Sequence, residues 1–468
     1  MHPLYGIGVV SEAADDRDIG EDGRRAVHLV ARVTAVQQLA EFVVGAGWDD
    51  LSVTAREALK KRVLDAVGCA HGALGAPPIK AIREHTEDFG GNPLATLFGG
   101  GRTAPDRAAF LNGAAVRYLD FNDAFLGRGE ACHPSDNFAP VLAAAEYAGA
   151  SGRDLLLALA VAYQVQIRLS QVAPVRARGF DHSTQGAYAA AAGVAKVLGL
   201  DAVRTANAIA ISGTAFNALR VTRTGSLSNW KGLAYPNAAF GAIHAAFLAR
   251  RGVTGPMEVF EGSKGFMDTI AGPFELDWAA EGLDAVELTI IKRYNAEGHA
   301  QSTLDAILEL REAGLAAADI ERIDLSVFDV SYEIIGPGAG DKKRVTTKEE
   351  ADHSLPYLVA AALIDGEMTP AQYSEERLRG ADVQALLQRV EVHSDPALSA
   401  AFPEHQGVRV EVLLRDGGTR SLAKPDYEGP SSWEALEAKY RSLGGPAATI
   451  DVVKRLDEVP VAELAAVL

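Results

Sequence analysis

Asp120, Asp123, Glu130 and His133 stand within fourteen residues, in the stretch DFNDAFLGRGEACHPSDNFAP from Asp120 to Pro140. Phe121, Phe125 and Phe138 lie among them, so these ionisable groups share their surroundings with apolar rings. Carboxylates and an imidazole half-withdrawn from water have shifted pKa values and can exchange protons near neutrality. That is the material of acid–base chemistry, and it needs partners from elsewhere in the chain.

Four further clusters supply candidates. GFDHSTQGAY sets Asp181 and His182 directly before a helix. One reading is an Asp cap beside an incidental histidine, and the other an imidazole at a positive helix end where anions bind. RVTRTGSLSNWKGLAYPNAA carries Arg223, Ser226, Ser228, Trp230 and Lys231, either as a solvated basic loop or as a carboxylate-binding arrangement. IIKRYNAEGHAQS places Lys292, Arg293, Glu297 and His299 after an apolar run. Glu297 and His299 are two apart and share a face only if the chain is extended. A metal reading there lacks further ligands. TTKEEADHSLPYLVAAALIDG holds Asp352, His353 and Ser354 before an apolar helix with Pro356 in its first turn, where Ser354 also reads as a simple cap.

The bulk properties narrow the classes. The chain has 468 residues and a formal charge of −17, which argues against a nucleic-acid surface and against an anionic membrane as partner. A small anionic substrate remains compatible, because a pocket can be locally positive inside an acidic protein. Two cysteines, Cys69 and Cys132, are too few for a disulfide framework, a four-thiolate zinc site or a conventional iron–sulfur cluster. There is no GxGxxG after a strand, no P-loop and no GxSxG elbow. The acidic N-terminus has no apolar signal region, and the run LLLALAVAYQVQI reads as a buried core helix, so a cytoplasmic location is expected.

These residues need elements to position them. Residues 1–30 read as a poorly ordered extension. Helical patterns dominate to about residue 270: a capping box at Thr54 and Glu57 opens one helix, and Arg153–Leu169, Ser183–Gly199 and Asn237–Gly252 follow. From residue 284 the texture changes. AVELTIIKRY reads as a strand, QSTLDAILELREAG as a helix ending at Gly314, and IERIDLSVFDV as a strand. VQALLQRVEVHSD reads as helix into strand, and GVRVEVLLRDGGTRSLAKPD as a hairpin. The expected fold is a mainly α-helical large domain, residues 31–283 and 429–468, with a smaller α+β lid domain over 284–428.

In their order along the chain, LDFNDAF, HPSDNFAPVLAAAE, GFDHSTQGA, RTGSLSNWKGLAYPNAA, GPMEVFEGSKGF, IKRYNAEGHAQS and ADHSLPYLVA resemble the MmgE/PrpD family. Within it, HPSDN, FDH, TGSLSNWKG and AEGHAQS look most like the 2-methylcitrate dehydratase branch. The resemblance implies an active site between the two domains, a homodimer, and chemistry with no metal and no organic cofactor. Asp120 matches the first aspartate of the family's DFDD-type motif, His133 the histidine of HPS, and Lys231 the lysine of its WKG-type segment. Glu297 stands where decarboxylase-like members have histidine, which favours dehydration. Ala124 departs from the Thr or Asn often found there and removes a polar contact.

The implied activity is β-elimination of water from a hydroxy-tricarboxylate, 2-methylcitrate to 2-methylaconitate. Decarboxylation of cis-aconitate, epimerisation of a dicarboxylate of the iminodisuccinate type, and dehydration of a related hydroxy acid are the alternatives on the same scaffold. A non-catalytic relative that only binds an anion is a further one. The candidates for proton transfer and charge stabilisation are Asp120, His133, His182, Lys231, Glu297 and His299, with Asp120 expected to orient one histidine or raise its pKa. Arg223, Ser135, Lys292, His353 and Ser228 are candidates for holding a small polycarboxylate.

Overall fold

The structure is a computed structural model that describes residues 33–468; the acidic extension over 1–30 lies outside the described residues. Small residues dictate the architecture of its first part. The helices Pro105–Tyr118, Phe138–Ala148, Gly152–Val172, Ser183–Val197, Ala202–Ala215 and Trp230–Arg250 pack on one another through alanine- and glycine-rich faces. Where helices meet through side chains this short, their backbones come close. Pro236 lies over Gly113, which brings the helix Pro105–Tyr118 against Trp230–Arg250. The C-terminal end of the first helix carries Arg117, and the N-terminal end of the second carries Lys231.

The helix Gly152–Val172 is 21 residues long and apolar enough to cross a bilayer by length and composition. Buried in 83% of its most apolar window, it is a core helix. Ser151 caps it, accepting from the Asp154 amide. The capping box expected at Thr54 and Glu57 is not formed. Ser52 caps the helix Val53–Ala73 instead, accepting from Ala55 N–H at 3.0 Å, and Glu57 reaches Lys60.

A four-stranded sheet forms the core of the second part. Its order is Val390–Ser394, Ile320–Val327, Val408–Leu414, Thr419–Lys424, with the first pair parallel and the others antiparallel. Ile323, Leu325, Val327, Val408, Val410 and Val412 point into a core shared with the helices Gln301–Glu312 and Leu355–Asp365. Alternation along the strands sets that face. The hairpin turns at Asp416–Gly418, where Gly417 takes φ +85° and Asp416 accepts from the Gly418 amide.

The segment read as a strand, AVELTIIKRY, is not one. Ala285–Leu288 is a short 3₁₀ turn, and only Ile290 pairs, in an isolated bridge with Ala124. Its apolar residues Val286 and Ile291 are buried in the helical core, so burial alone accounts for the hydrophobic run. Near the C-terminus the helix Trp433–Ser442 packs on Val53–Ala73, and Lys439 pairs there with the buried Asp65 at 2.6 Å.

Candidate active site

Asp120 follows the helix Pro105–Tyr118 in a left-handed conformation, φ +57°. For a non-glycine residue this costs on the order of 1–3 kcal/mol and persists only where the surroundings impose it. Three cations do so. Arg117 Nη1 lies 2.8 Å and Lys292 Nζ 2.9 Å from Oδ1, and Lys231 Nζ lies 3.3 Å from Oδ2. Burial by itself pushes the Asp120 carboxyl up, but Arg117, Lys292 and Lys231 outweigh it and hold the group well below the usual carboxylate range.

Lys231 is shared. Its ammonium also sits 2.6 Å from Asp352 Oδ1 and 2.9 Å from His353 Nδ1, while Lys348 holds Asp352 Oδ2 at 2.7 Å. A lysine at a helix N-terminus meets the unfavourable end of the helix dipole, and the two carboxylates offset this. Asp120, Asp352 and His353 bring ligand atoms close enough together to hold a metal ion. The Lys231 ammonium already binds both carboxylates, so the cationic position in that cluster belongs to the protein's own side chain.

Three buried histidines, His133, His182 and His353, are held neutral at pH 7. His133 Nδ1 is 2.7 Å from the Asp123 carbonyl, which accepts only if Nδ1 carries the proton, so Nε2 is bare. Nε2 lies 4.0 Å from Asp120 Oδ1. Burial, then Arg117 and Lys292, pull this histidine's pKa well below its ordinary value, outweighing Asp120, which acts to raise it. His182 opens the helix Ser183–Val197 and is pulled down to about 3 by burial, with Asp181 opposing and Arg223 adding to the fall. Its Nε2 accepts from Arg223 Nη2 at 2.8 Å, and its Nδ1 is buried without a partner among the described residues. Arg223 is in turn paired with Asp181, which also accepts from the Ser183 amide and hydroxyl. His353 is pulled down to about 4 by burial and by Lys231.

The remaining candidates divide. Glu297 is bound to His299, Oε1 to Nδ1 at 2.8 Å, and its own amide donates to the Asp352 carbonyl. Burial pushes the Glu297 carboxyl up, but His299, His353 and Lys292 hold it below its ordinary range. His299 is buried against Phe328 and Phe402, behind Glu297. Ser135 is a buried wall residue: its amide donates to Asp123 and its hydroxyl accepts from Asn122. Ser228 is exposed and contributes only its backbone carbonyl, to the Lys231 amide. Ala124 packs in a small apolar cluster with Leu126, Phe328, Val330 and Phe402, so its methyl group leaves no gap in a polar wall. Ser354 is a cap, accepting from the Tyr357 amide.

A cleft of about 280 Å³ opens onto this network between the Arg220–Arg223 turn and the 333–342 loop. Arg176, Arg220, Arg223, Lys342 and His353 line it, with Glu333 as its one acidic wall residue. Sequence reasoning singled out Arg223 and His353 but missed Arg176, Arg220 and Lys342, along with the buried Arg117 and Lys348. Arg117 did leave a signal: it is the only charge between Arg107 and Asp120, in an otherwise small and apolar helix.

A family model of the MmgE/PrpD N-terminal domain matches residues 37–279, and one of the MmgE/PrpD C-terminal domain matches residues 294–460. The chain belongs to the MmgE/PrpD family. Its helical first part and sheet-containing second part fit that pair of domains. Among curated relatives, the cis-aconitate decarboxylase of Mus musculus is 28% identical over 428 residues, 85% of this chain and 84% of the relative. The 2-methylcitrate dehydratase of Salmonella typhimurium is 29% identical over 386 residues, 76% of this chain and 77% of the relative. That of Cupriavidus necator is 30% identical over 401 residues, 78% of each. Relatives bearing the two activities stand at nearly the same identity.

Proposed function

We propose that this protein is a lyase acting on a hydroxy-tricarboxylate, dehydrating 2-methylcitrate to 2-methylaconitate without a metal or organic cofactor. The observation that carries this reading is a cleft lined by four cationic side chains beside buried, unprotonated imidazoles. Polycarboxylates cannot leave water without compensating cations, and proton abstraction beside a carboxylate needs a neutral base.

Arg220, Lys342 and Arg176 take the carboxylates, because among the described residues their head groups have no tight carboxylate partner: Arg220 lies 4.0 Å from Asp181, and Arg176 Nη1 has no partner there. Lys231 is already bound to two carboxylates, so it serves the reaction by fixing Asp120 and by its positive field rather than as a free clamp. His133, with a bare Nε2, abstracts or returns a proton. His182 has its Nε2 covered by Arg223, so it and Asp181 orient that guanidinium.

A second reading, decarboxylation of cis-aconitate, is favoured by the 28% identity to the Mus musculus enzyme of that name. One experiment separates them. Metal-stripped protein is incubated with 2-methylcitrate, citrate and cis-aconitate while enoate absorbance and carbon dioxide are followed. Enoate formation from 2-methylcitrate is expected; carbon dioxide from cis-aconitate instead makes the protein a decarboxylase. Turnover of none removes both readings.

A further inference from the structure

His133 has a counterpart across Asp120. His133 Nε2 lies 4.0 Å from Oδ1 of that carboxylate, and His353 Nδ1 lies 3.9 Å from Oδ2. His353 also lines the cleft. Its Nδ1 has two close neighbours of opposite demand: Asp352 Oδ1 at 2.7 Å can only accept, and Lys231 Nζ at 2.9 Å can only donate. The conflict is resolved by the lysine's other contacts. Lys231 donates to Asp352 at 2.6 Å and lies 3.3 Å from Asp120, so its protons have carboxylates to serve, whereas the Nδ1 proton of His353 has Asp352. Asp352 is fixed from its other oxygen by Lys348, and its backbone carbonyl is fixed by the Glu297 amide.

We infer that His353 is the second proton-transfer group of the site, opposite His133, and that Asp352 is the positioning residue that keeps the proton on Nδ1 and the bare Nε2 toward the cleft. This rests on the reading of the cleft as a polycarboxylate site. Both rings rest neutral with a bare Nε2; binding of the anionic substrate beside them draws one proton from solvent onto one Nε2, and the other stays bare. The bare nitrogen takes the proton from the carbon beside a carboxylate, the C–H electron pair becomes the new carbon–carbon double bond, and the hydroxyl leaves as water with the proton of the other imidazole. The pair ends with as many protons as it began with, on the opposite ring, and exchange with solvent resets it.

The test is the tautomer itself, read by ¹⁵N NMR at pH 7 on the full chain with labelled histidine, the His353 signals being those lost in His353→Gln. A protonated Nδ1 and bare Nε2 are expected; the reverse overturns the proposal. Asp352→Asn is then expected to move the proton to Nε2 and to lower kcat on whichever acid is turned over by about 100-fold or more, with KM changed by less than about three-fold. A kcat within three-fold of wild type overturns it. Failure to turn over any polycarboxylate defeats the functional reading, while the NMR result still decides the tautomer.

Discussion

Lys292 grips Asp120 twice, donating to its backbone carbonyl at 2.7 Å and to Oδ1 at 2.9 Å, across 172 residues of sequence. Neither group is satisfied by water: Lys292 is fully buried and Asp120 nearly so. The contact ties the segment that opens the sheet-containing half to the end of a helix in the first half, and it holds Asp120 in its left-handed conformation.

Asp120→Asn removes the one carboxylate on which Arg117, Lys292 and Lys231 converge. Breaking a buried ion network from one side costs about 3–5 kcal/mol. Urea unfolding should show a loss of that order, together with near-complete loss of turnover. A variant as stable as wild type contradicts the network's role.

Stability should fall as the pH is lowered from 7 to 5. His133, His182 and His353 have folded pKa values below the ordinary 6.5, with His182 at about 3 and His353 at about 4. Above 6.5 both folded and unfolded states hold them neutral. Below it the unfolded chain binds three protons that the folded site refuses, which favours unfolding. Asp65, Glu130 and Asp136 work the other way. Burial raises these three carboxyls, Asp136 to about 7, so on acidification the folded state binds protons there before the unfolded state does. Burial also lowers His71, so four histidines stand against three carboxyls. A urea midpoint that rises on acidification from pH 7 to 5 is the contrary outcome.

Arg220→Gln should raise KM for a tricarboxylate by about ten-fold while lowering kcat much less. Among the described residues the guanidinium has no carboxylate partner closer than Asp181 at 4.0 Å to strand, so the loss falls on substrate binding. Steady-state kinetics at two salt concentrations checks this; the KM effect should shrink at high salt. An unchanged KM removes Arg220 from the carboxylate site.

His133→Gln should lower kcat by about 100-fold or more, with folding intact by circular dichroism. The glutamine amide can still donate to the Asp123 carbonyl, so the surrounding hydrogen bond survives while the basic nitrogen is lost. Turnover within a few-fold of wild type excludes His133 from proton transfer.

Gly186→Ala is expected to destabilise the fold by about 1–3 kcal/mol. A Cβ there would stand 2.1 Å from the Tyr235 ring, whose hydroxyl donates to Asn137 of the HPSDN turn. Thermal unfolding measures the effect, and a parallel fall in activity is expected because that turn carries His133.

The local elements were legible because they depend on local patterns. The hairpin at Val408–Lys424, the helix Gln301–Glu312 with Gly314 beyond it, and the helix–strand pair around Val390–Ser394 follow from side-chain period and turn residues. The false strand at Ala285–Tyr294 shows the limit of that logic. An apolar run reports burial, and an irregular segment can be buried as well as a strand. The motifs from Asp120 to Ser354 marked the candidate site in sequence order, and together they marked the family. Residue type singled out Ser228, but whether its side chain faces solvent, as it does, is not a local property of the sequence.

Sequence by itself determined which residue types were present, the order of the motifs and the family that order belongs to. Tertiary structure alone decided the charge states. No spacing rule connects Asp120 to Lys292 or Lys231 to Asp352, and it is these contacts, made over more than a hundred residues, that keep the carboxylates ionised. Burial beside Arg117, Lys231 and Arg223 keeps the histidines neutral where a neighbouring aspartate suggested the opposite. Electrostatic energy depends on distance through space and on access to water, and neither is a local property of the chain.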